Sequence, residues 1–167
     1  PSFAPAFAVD VERGKPSSGY GSLECNSTYT ANIGIPVHAA DLGRYAPSQL
    51  MSDANLGAGD VDVLISCAPC TGFSRTMNVN HSLDDARNRL VERTGLFVEA
   101  LRPAILVMEN ARELLRGNFV YHADNLRQHL GRLGYEFHGT IHKLTSFGLP
   151  QIRERAIIIA VRHGLRV

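Results

Sequence analysis

Short apolar runs alternate with amphipathic stretches along this chain, the arrangement expected of an α/β domain with a mostly parallel sheet. Residues 6–11 read as a strand with the acidic Asp10 and Glu12 at its end, and 13–23, rich in Gly, Pro and Ser, as a loop. A helix is predicted over Cys25–Ile33, stopped by Gly34 and Pro36, and a short strand over 36–40 ends at Asp41. Residues 61–66 form an apolar strand interrupted only by Asp62, which runs into Cys67-Ala68-Pro69-Cys70-Thr71-Gly72. A helix over 84–101 starts well, because Asp84 and Asp85 suit the positive end of the helix dipole, and Pro103 ends it. A strand over 105–108 leads to Glu109-Asn110, helices follow over 112–115 and 122–133, and two last strands occupy 135–144 and 155–162. There is no internal repeat, low-complexity tract or clear linker, so one domain is the economical reading.

This layout carries functional weight, since Asp10, Asp41, Cys70 and Glu109 each fall at or just past a predicted strand end. Ligand sites in open α/β sheets form beyond the carboxyl ends of the strands.

Composition narrows the classes. The 167 residues, 44% hydrophobic and 20% charged, describe an ordinary globular chain. The absence of a long apolar run or signal-peptide pattern predicts no membrane partner and a cytoplasmic or nucleoid-associated location. A net charge of +1 decides nothing about nucleic acid, although 15 of the 17 basic residues are Arg, whose forked donors suit phosphates and base edges. That bias has an equal explanation in the composition of the source genome. Three cysteines, Cys25, Cys67 and Cys70, make no disulfide framework, and the seven histidines lack zinc-site spacing, so no metal is expected. His138 and His142 could share a strand face, more simply as an exposed pair. The chain starts at Pro1 rather than Met, which suggests an upstream segment.

Several residues offer chemistry. Pro69 and Gly72 flank Cys70 in a way that suits a tight turn presenting the sulfur, and a thiolate is a strong nucleophile. The bland alternative is a buried cysteine serving as a small hydrophobe. Cys67 and Cys70 also form a Cys-x-x-Cys pair, which reads as a dithiol redox motif, except that residues 71–80 are polar and loop-like rather than helical. Glu109 emerges from an apolar strand, where desolvation would favour a proton donor; alternatively it or Asn110 caps the next helix. Gln151, Arg153 and Arg155 alternate, so an extended segment would put them on one face able to hold a phosphate or base edge, or simply on a solvated edge. Gly19-Tyr20-Gly21 is only a weak hint of a glycine-rich loop.

Taken together and in order, these segments resemble the cytosine-5 DNA methyltransferases. Pro69-Cys70-Thr71-Gly72-Phe73-Ser74 is similar to the family's Pro-Cys nucleophile loop, Glu109-Asn110-Ala111 to its Glu-Asn-Val motif, and Gln151-Ile152-Arg153-Glu154-Arg155 to its Gln-x-Arg-x-Arg motif. Asp10-Val11-Glu12 resembles the acidic strand end that binds the cofactor ribose, and residues 28–32 resemble the helix after it. Asp41, with Leu42 beside it, falls where the family recognises the cofactor adenine, and 87–90 resembles the stretch whose Leu, here Leu90, packs on the cofactor.

The resemblance implies a Rossmann-like fold that uses S-adenosylmethionine, mostly parallel with an antiparallel C-terminal strand pair, and a monomer acting on double-stranded DNA. It implies Cys70 as nucleophile at cytosine C6, Glu109 at N3, and Arg153 and Arg155 holding a flipped base and its backbone. Pro69 is assigned with the cofactor-binding residues Asp10, Glu12, Asp41, Leu42 and Leu90, and Ser74, Arg75, Asn110 and Gln151 with the substrate.

There are departures. The family's glycine-rich loop should precede the acidic strand, about ten extra residues lie between Glu12 and Cys25, and Glu24 rivals Asp10 and Glu12. Residues 1–167 therefore read as part of a catalytic domain without its target-recognition region and last cofactor-binding helix, expected to bind cofactor poorly alone. An RNA cytosine-5 methyltransferase and a non-catalytic nucleic-acid-binding remnant are the alternatives.

Overall fold

The computed structural model describes residues 3–13, 19, 21, 24–69, 86–118 and 120–165. The chain divides into two compact units, Pro1–Leu56 and Gly57–Val167.

In the first unit, β1 (Ala8–Asp10) and β2 (Val37–Ala39) run parallel, with Ala8 opposite Val37 and Asp10 opposite Ala39. Parallel neighbours need a crossover connection, and α1 (Cys25–Ile33) lies within it. Its stop signal works as read: Gly34 adopts a φ of 87°, and its N–H returns to the Thr30 carbonyl. The sequence pattern missed α2 (Pro47–Asp53), which buries only Leu50 and has no acidic first turn. Seven residues are too few to display a helical period, and Pro47 near the helix start was the one available signal.

The second unit holds a four-stranded sheet built from β3 (Val63–Ser66), β4 (Ile105–Ala111), β5 (Tyr135–Lys143) and β6 (Glu154–Arg162), in the spatial order β3-β4-β6-β5. β3 and β4 are parallel, whereas β6 lies antiparallel between β4 and β5. The fold is α/β and Rossmann-like with a mixed sheet, including the antiparallel C-terminal pair. β4 runs three residues past the expected end, because the ladder with β6 continues to Ala111 opposite Arg155.

Helices α3 (Arg89–Leu101), α4 (Glu113–Arg116) and α5 (Tyr121–Arg132) complete the unit. A 3-10 turn at Ala86–Asn88 precedes α3, so the α-helix starts later than the sequence suggested. Asp84 and Asp85, expected to favour its start, lie outside the described residues. Val91 and Val98 of α3 and Leu126 and Leu130 of α5 form one core with Leu106, Met108, Ile158 and Ala160 of the sheet. Each such side chain contributes on the order of 1.5–3 kcal/mol on burial. The two helices meet closely: a Cβ on Gly95 would come within 2.6 Å of His129 Nδ1. His122 pairs with Glu92, and His129 Nε2 lies 3.1 Å from Glu99 Oε2. Among the described residues, no helix is long and apolar enough to cross a membrane.

Candidate functional site

In the second unit, the ends of β3 and β4 place the Cys67-Ala68-Pro69 segment beside Glu109 and Asn110. Asn110 is 1% exposed, and its side chain serves the backbone at both ends. Nδ2 donates to the Ala68 carbonyl at 2.9 Å, and Oδ1 accepts from the Ala111 amide at 2.8 Å. Both ends of the amide are thus engaged with the backbone, at a residue expected to cap a helix or contact substrate. Asn110 is spent on holding the strand-end segment that leads into Pro69, because a buried amide is costly unless both of its ends are paired.

Glu109 projects from the opposite face of β4. In the ladder it faces Ile157, while Ala111 faces Arg155, so Glu109 and Arg155 are diagonal neighbours on one face. Arg155 Nε lies 2.7 Å from Glu109 Oε1, with the two side chains 16% and 41% exposed. The carboxylate is thus only partly withdrawn from water and carries a charge-assisted hydrogen bond. Arg112, which had no distinguishing mark in the sequence, adds a second tie by pairing with both Glu113 and Glu154.

Gln151 and Arg153 do not join Arg155 in a strand. β6 begins at Glu154, and the Arg153 carbonyl accepts the Leu144 amide at 2.8 Å, closing the connection from β5. Both side chains are exposed, as is Ile152 between them. His138 pairs with Glu136 and His142 packs on the Phe147 ring.

Partial desolvation pushes the Cys67 thiol, on a residue that still reaches the surface, up from its ordinary value, and the Glu109 charge adds to the rise, while a hydrogen bond to the Glu109 backbone opposes it. A raised thiol holds less thiolate and attacks a partner poorly, which disfavours Cys67 in the dithiol reading. Cys70, Ser74 and Arg75 lie outside the described residues.

The first unit carries the acidic strand ends. Asp10 closes β1, and its Oδ1 accepts the Glu12 amide. Glu12, at a φ of 50°, uses Oε1 to accept the Asn26 amide at 3.0 Å, reaching across the long connection to the start of α1. The rival Glu24 accepts from Ser27 Oγ at 2.7 Å, which ties it to that same helix start. Asp41 lies two residues past β2, and its Oδ1 accepts the Gly43 amide at 2.8 Å. Among the described residues, Asp10 Oδ2, Glu12 Oε2 and Asp41 Oδ2 accept no hydrogen bond. Such oxygens, on the exposed Asp10 and Asp41 and the half-buried Glu12, are able to accept hydrogen bonds from the hydroxyl or amino groups of a ligand. Leu42 follows Asp41 in the same turn, while Leu90 sits half-buried in the first turn of α3, in the second unit.

The C-5 cytosine-specific DNA methylase family matches residues 21–167. The chain is 31% identical over 141 residues to the Type II methyltransferase M1.HphI of Haemophilus parahaemolyticus, spanning 82% of this chain and 37% of that protein. It is 33% identical over 119 residues to the Type II methyltransferase M.XorII of Xanthomonas oryzae, spanning 70% of this chain and 28% of that protein. Among solved structures, a DNA modification methyltransferase encoded within an E. coli prophage superposes with a TM-score of 0.72 at 20% identity, over 93% of this chain and 39% of that one. S. pombe Dnmt2 methyltransferase superposes with a TM-score of 0.64 at 17% identity, over 98% and 43%. The chain thus spans between a quarter and a half of each of these proteins. With most of its length matched and the Glu109-Asn110-Ala111 strand end and Arg155 set on adjacent strands, the chain belongs to the C-5 cytosine-specific DNA methylases.

Proposed function

We propose that residues 1–167 are part of the catalytic domain of an enzyme that methylates C5 of cytosine in double-stranded DNA, acting as a monomer, with Cys70 as nucleophile. The observation that supports this most is the Glu109–Arg155 pair on the face of β4 and β6, beside a Pro69 segment anchored by Asn110.

Cytosine C5 is too weak a nucleophile to take a methyl group unaided. In this reading the Cys70 thiolate bonds to C6 while Glu109, in its protonated form, donates its proton to the N3 lone pair, so the displaced C5=C6 electrons are held as an enamine that is nucleophilic at C5. Arg155 keeps the Glu109 carboxyl group in one orientation and stabilises the negative charge it gains as its proton passes to N3, so the site need not reorganise as the bond forms. S-adenosylmethionine, when bound, supplies the methyl group as an electrophile. A water molecule acting as base then takes the C5 proton, its bonding pair re-forms the C5=C6 bond and breaks the C6–S bond, releasing Cys70 as thiolate, and the N3 proton returns to Glu109. The thiolate requires an unstacked base, so the target is flipped out of the duplex at a cost of a few kcal/mol. Arg153 and Arg155 hold the flipped base and its backbone, Gln151, exposed like Arg153 just before β6, contacts the substrate, and Ser74 and Arg75 touch nearby phosphates. For the cofactor, Asp10 and Glu12 would accept from the ribose hydroxyls, Asp41 from the adenine amino group, and Leu42, Pro69 and Leu90 would pack against it.

The test is methyl transfer from radiolabelled S-adenosylmethionine by the full-length protein to duplex DNA and, separately, to structured RNA. Label recovered as 5-methylcytosine from DNA supports the reading. Label confined to RNA replaces it with the RNA enzyme, and label in neither points to a nucleic-acid-binding remnant.

A further inference from the structure

The turn that carries Asp41 and Leu42 is held in place from outside the proposed cofactor site. The Asp41 carbonyl accepts the amides of Arg44 and Tyr45, each at 2.8 Å, and its side chain accepts that of Gly43, so residues 41–45 form one closed turn. Tyr45, the last residue of that turn, then reaches across to α2. Its hydroxyl donates to Asp53 Oδ2 at 2.6 Å, and Gln49 Nε2 donates to Asp53 Oδ1 at 2.8 Å. His38, in the middle of β2, stacks on the Tyr45 ring at 5.2 Å between centroids and puts Nε2 at 3.7 Å from Asp53 Oδ2. Phe7, just before β1, packs on the other partner of that stack at 5.7 Å from the His38 ring. Asp53 therefore gathers a strand, a turn and a helix on one carboxylate.

We propose that Tyr45 and Asp53 form a brace that holds the Asp41–Leu42 turn in the conformation that receives the adenosine end of S-adenosylmethionine. This rests on the reading of Asp41 and Leu42 as cofactor contacts. Neither brace residue touches the cofactor; both are positioning residues. A turn of five residues has backbone entropy to lose when it orders around a ligand. Fixing it beforehand removes that cost from binding, the general benefit of preorganisation. The titration of the pair agrees with a formed contact. Burial, the hydrogen bond to Asp53 and that carboxylate's charge push the Tyr45 hydroxyl up to about 12. The hydrogen bonds from Tyr45 and Gln49 hold Asp53 below the usual carboxylate range, aided by His38.

The test measures S-adenosylmethionine and S-adenosylhomocysteine binding by the full-length protein, together with steady-state kinetics. Tyr45→Phe keeps the ring stack and loses only the hydroxyl, and it should raise both dissociation constants and the KM for S-adenosylmethionine about three- to tenfold. The KM for DNA and kcat at saturating cofactor should not move. Asp53→Leu should match it, the double variant should be no worse than either alone, and Asp53→Asn, which keeps an oxygen for the hydroxyl, should restore most of the affinity. Circular dichroism and the melting temperature identify any variant that fails to fold, and the Asp53→Asn comparison is then decisive by itself. Unchanged cofactor affinity in Tyr45→Phe, or equal losses in both KM values, overturns the brace. A wild-type protein that binds neither compound overturns instead the methyltransferase reading on which the brace rests.

Discussion

Arg155 Nε sits 2.7 Å from Glu109 Oε1, one strand over and one diagonal step along the antiparallel ladder. The register of β4 on β6 makes this contact: a slip of one residue would turn Arg155 to the other face of the sheet. The sequence presented the two residues as separate signals 46 positions apart, and the ladder makes them one unit.

That unit predicts the effect of changing its cation. Arg155→Ala removes a charge-assisted hydrogen bond of about 1.5–3 kcal/mol, so the methylation rate should fall roughly ten- to hundredfold with cofactor affinity unchanged. Arg155→Lys keeps the charge and loses the planar fork, and should recover only part of the rate. Single-turnover methylation alongside cofactor binding checks both. Wild-type rates in Arg155→Ala would remove Arg155 from the chemistry.

Asn110 predicts a different pattern, because it acts on the backbone. Asn110→Ala leaves the half-buried Ala68 carbonyl and the Ala111 amide without their side-chain partner, and should cost roughly 1–3 kcal/mol of stability. The same change loosens the segment before Cys70, so the rate should drop as well. Denaturant unfolding and single-turnover rates measured on one preparation test the coupling. A slower enzyme of undiminished stability would mean that Asn110 contacts substrate after all.

Cys67 gives the pH-dependent prediction. Its thiol is raised in the folded state, so the proton is held more tightly there than in the unfolded chain. The resulting stability is fully present below the ordinary cysteine value and is lost as pH rises through the folded one. Alkylation of Cys67 in the native protein should accordingly be slow at neutral pH and accelerate only above the ordinary cysteine range. Cys67→Ser should retain methylation, and a reversible Cys67–Cys70 disulfide coupled to dithiol turnover would restore the redox reading.

The α3–α5 contact predicts a loss of stability without chemistry. In Gly95→Ala the new methyl meets His129 at 2.6 Å unless the ring gives way, and the ring is engaged with Glu99. Overpacking of this kind costs about 1–3 kcal/mol. A melting temperature equal to that of wild type would show that the helices separate freely.

What the sequence made legible followed from long periods and strong punctuation. The continuous apolar runs of 105–108 and 156–161 and the periodic faces of α3 and α5 are core features, and their elements lie close to the bounds the sequence predicts. α2 escaped because a single buried leucine makes no period. The extra length of β4 escaped because Glu109, Asn110 and Ala111 lack strand propensity, and only pairing with β6 keeps them extended. At the site, Glu109 and Arg155 were found by motif, yet their contact depends on register, which no local pattern encodes. Asn110 reads from sequence as a helix cap or a substrate contact, and its bond to the Ala68 carbonyl, 42 residues away, depends on β3 and β4 lying side by side. Tyr45 and Asp53 carried no signal, since their relationship exists only once α2 has formed.

The central claim is most directly tested by covalent trapping. Full-length protein would be incubated with S-adenosylmethionine and duplex DNA containing 5-fluorocytosine, whose fluorine cannot leave as the C5 proton does. A denaturant-resistant protein–DNA adduct that forms with the wild type and disappears in Cys70→Ala is the predicted result. An equal adduct in Cys70→Ala, or none from folded, cofactor-binding protein across a broad pool of DNA sequences, would contradict the account.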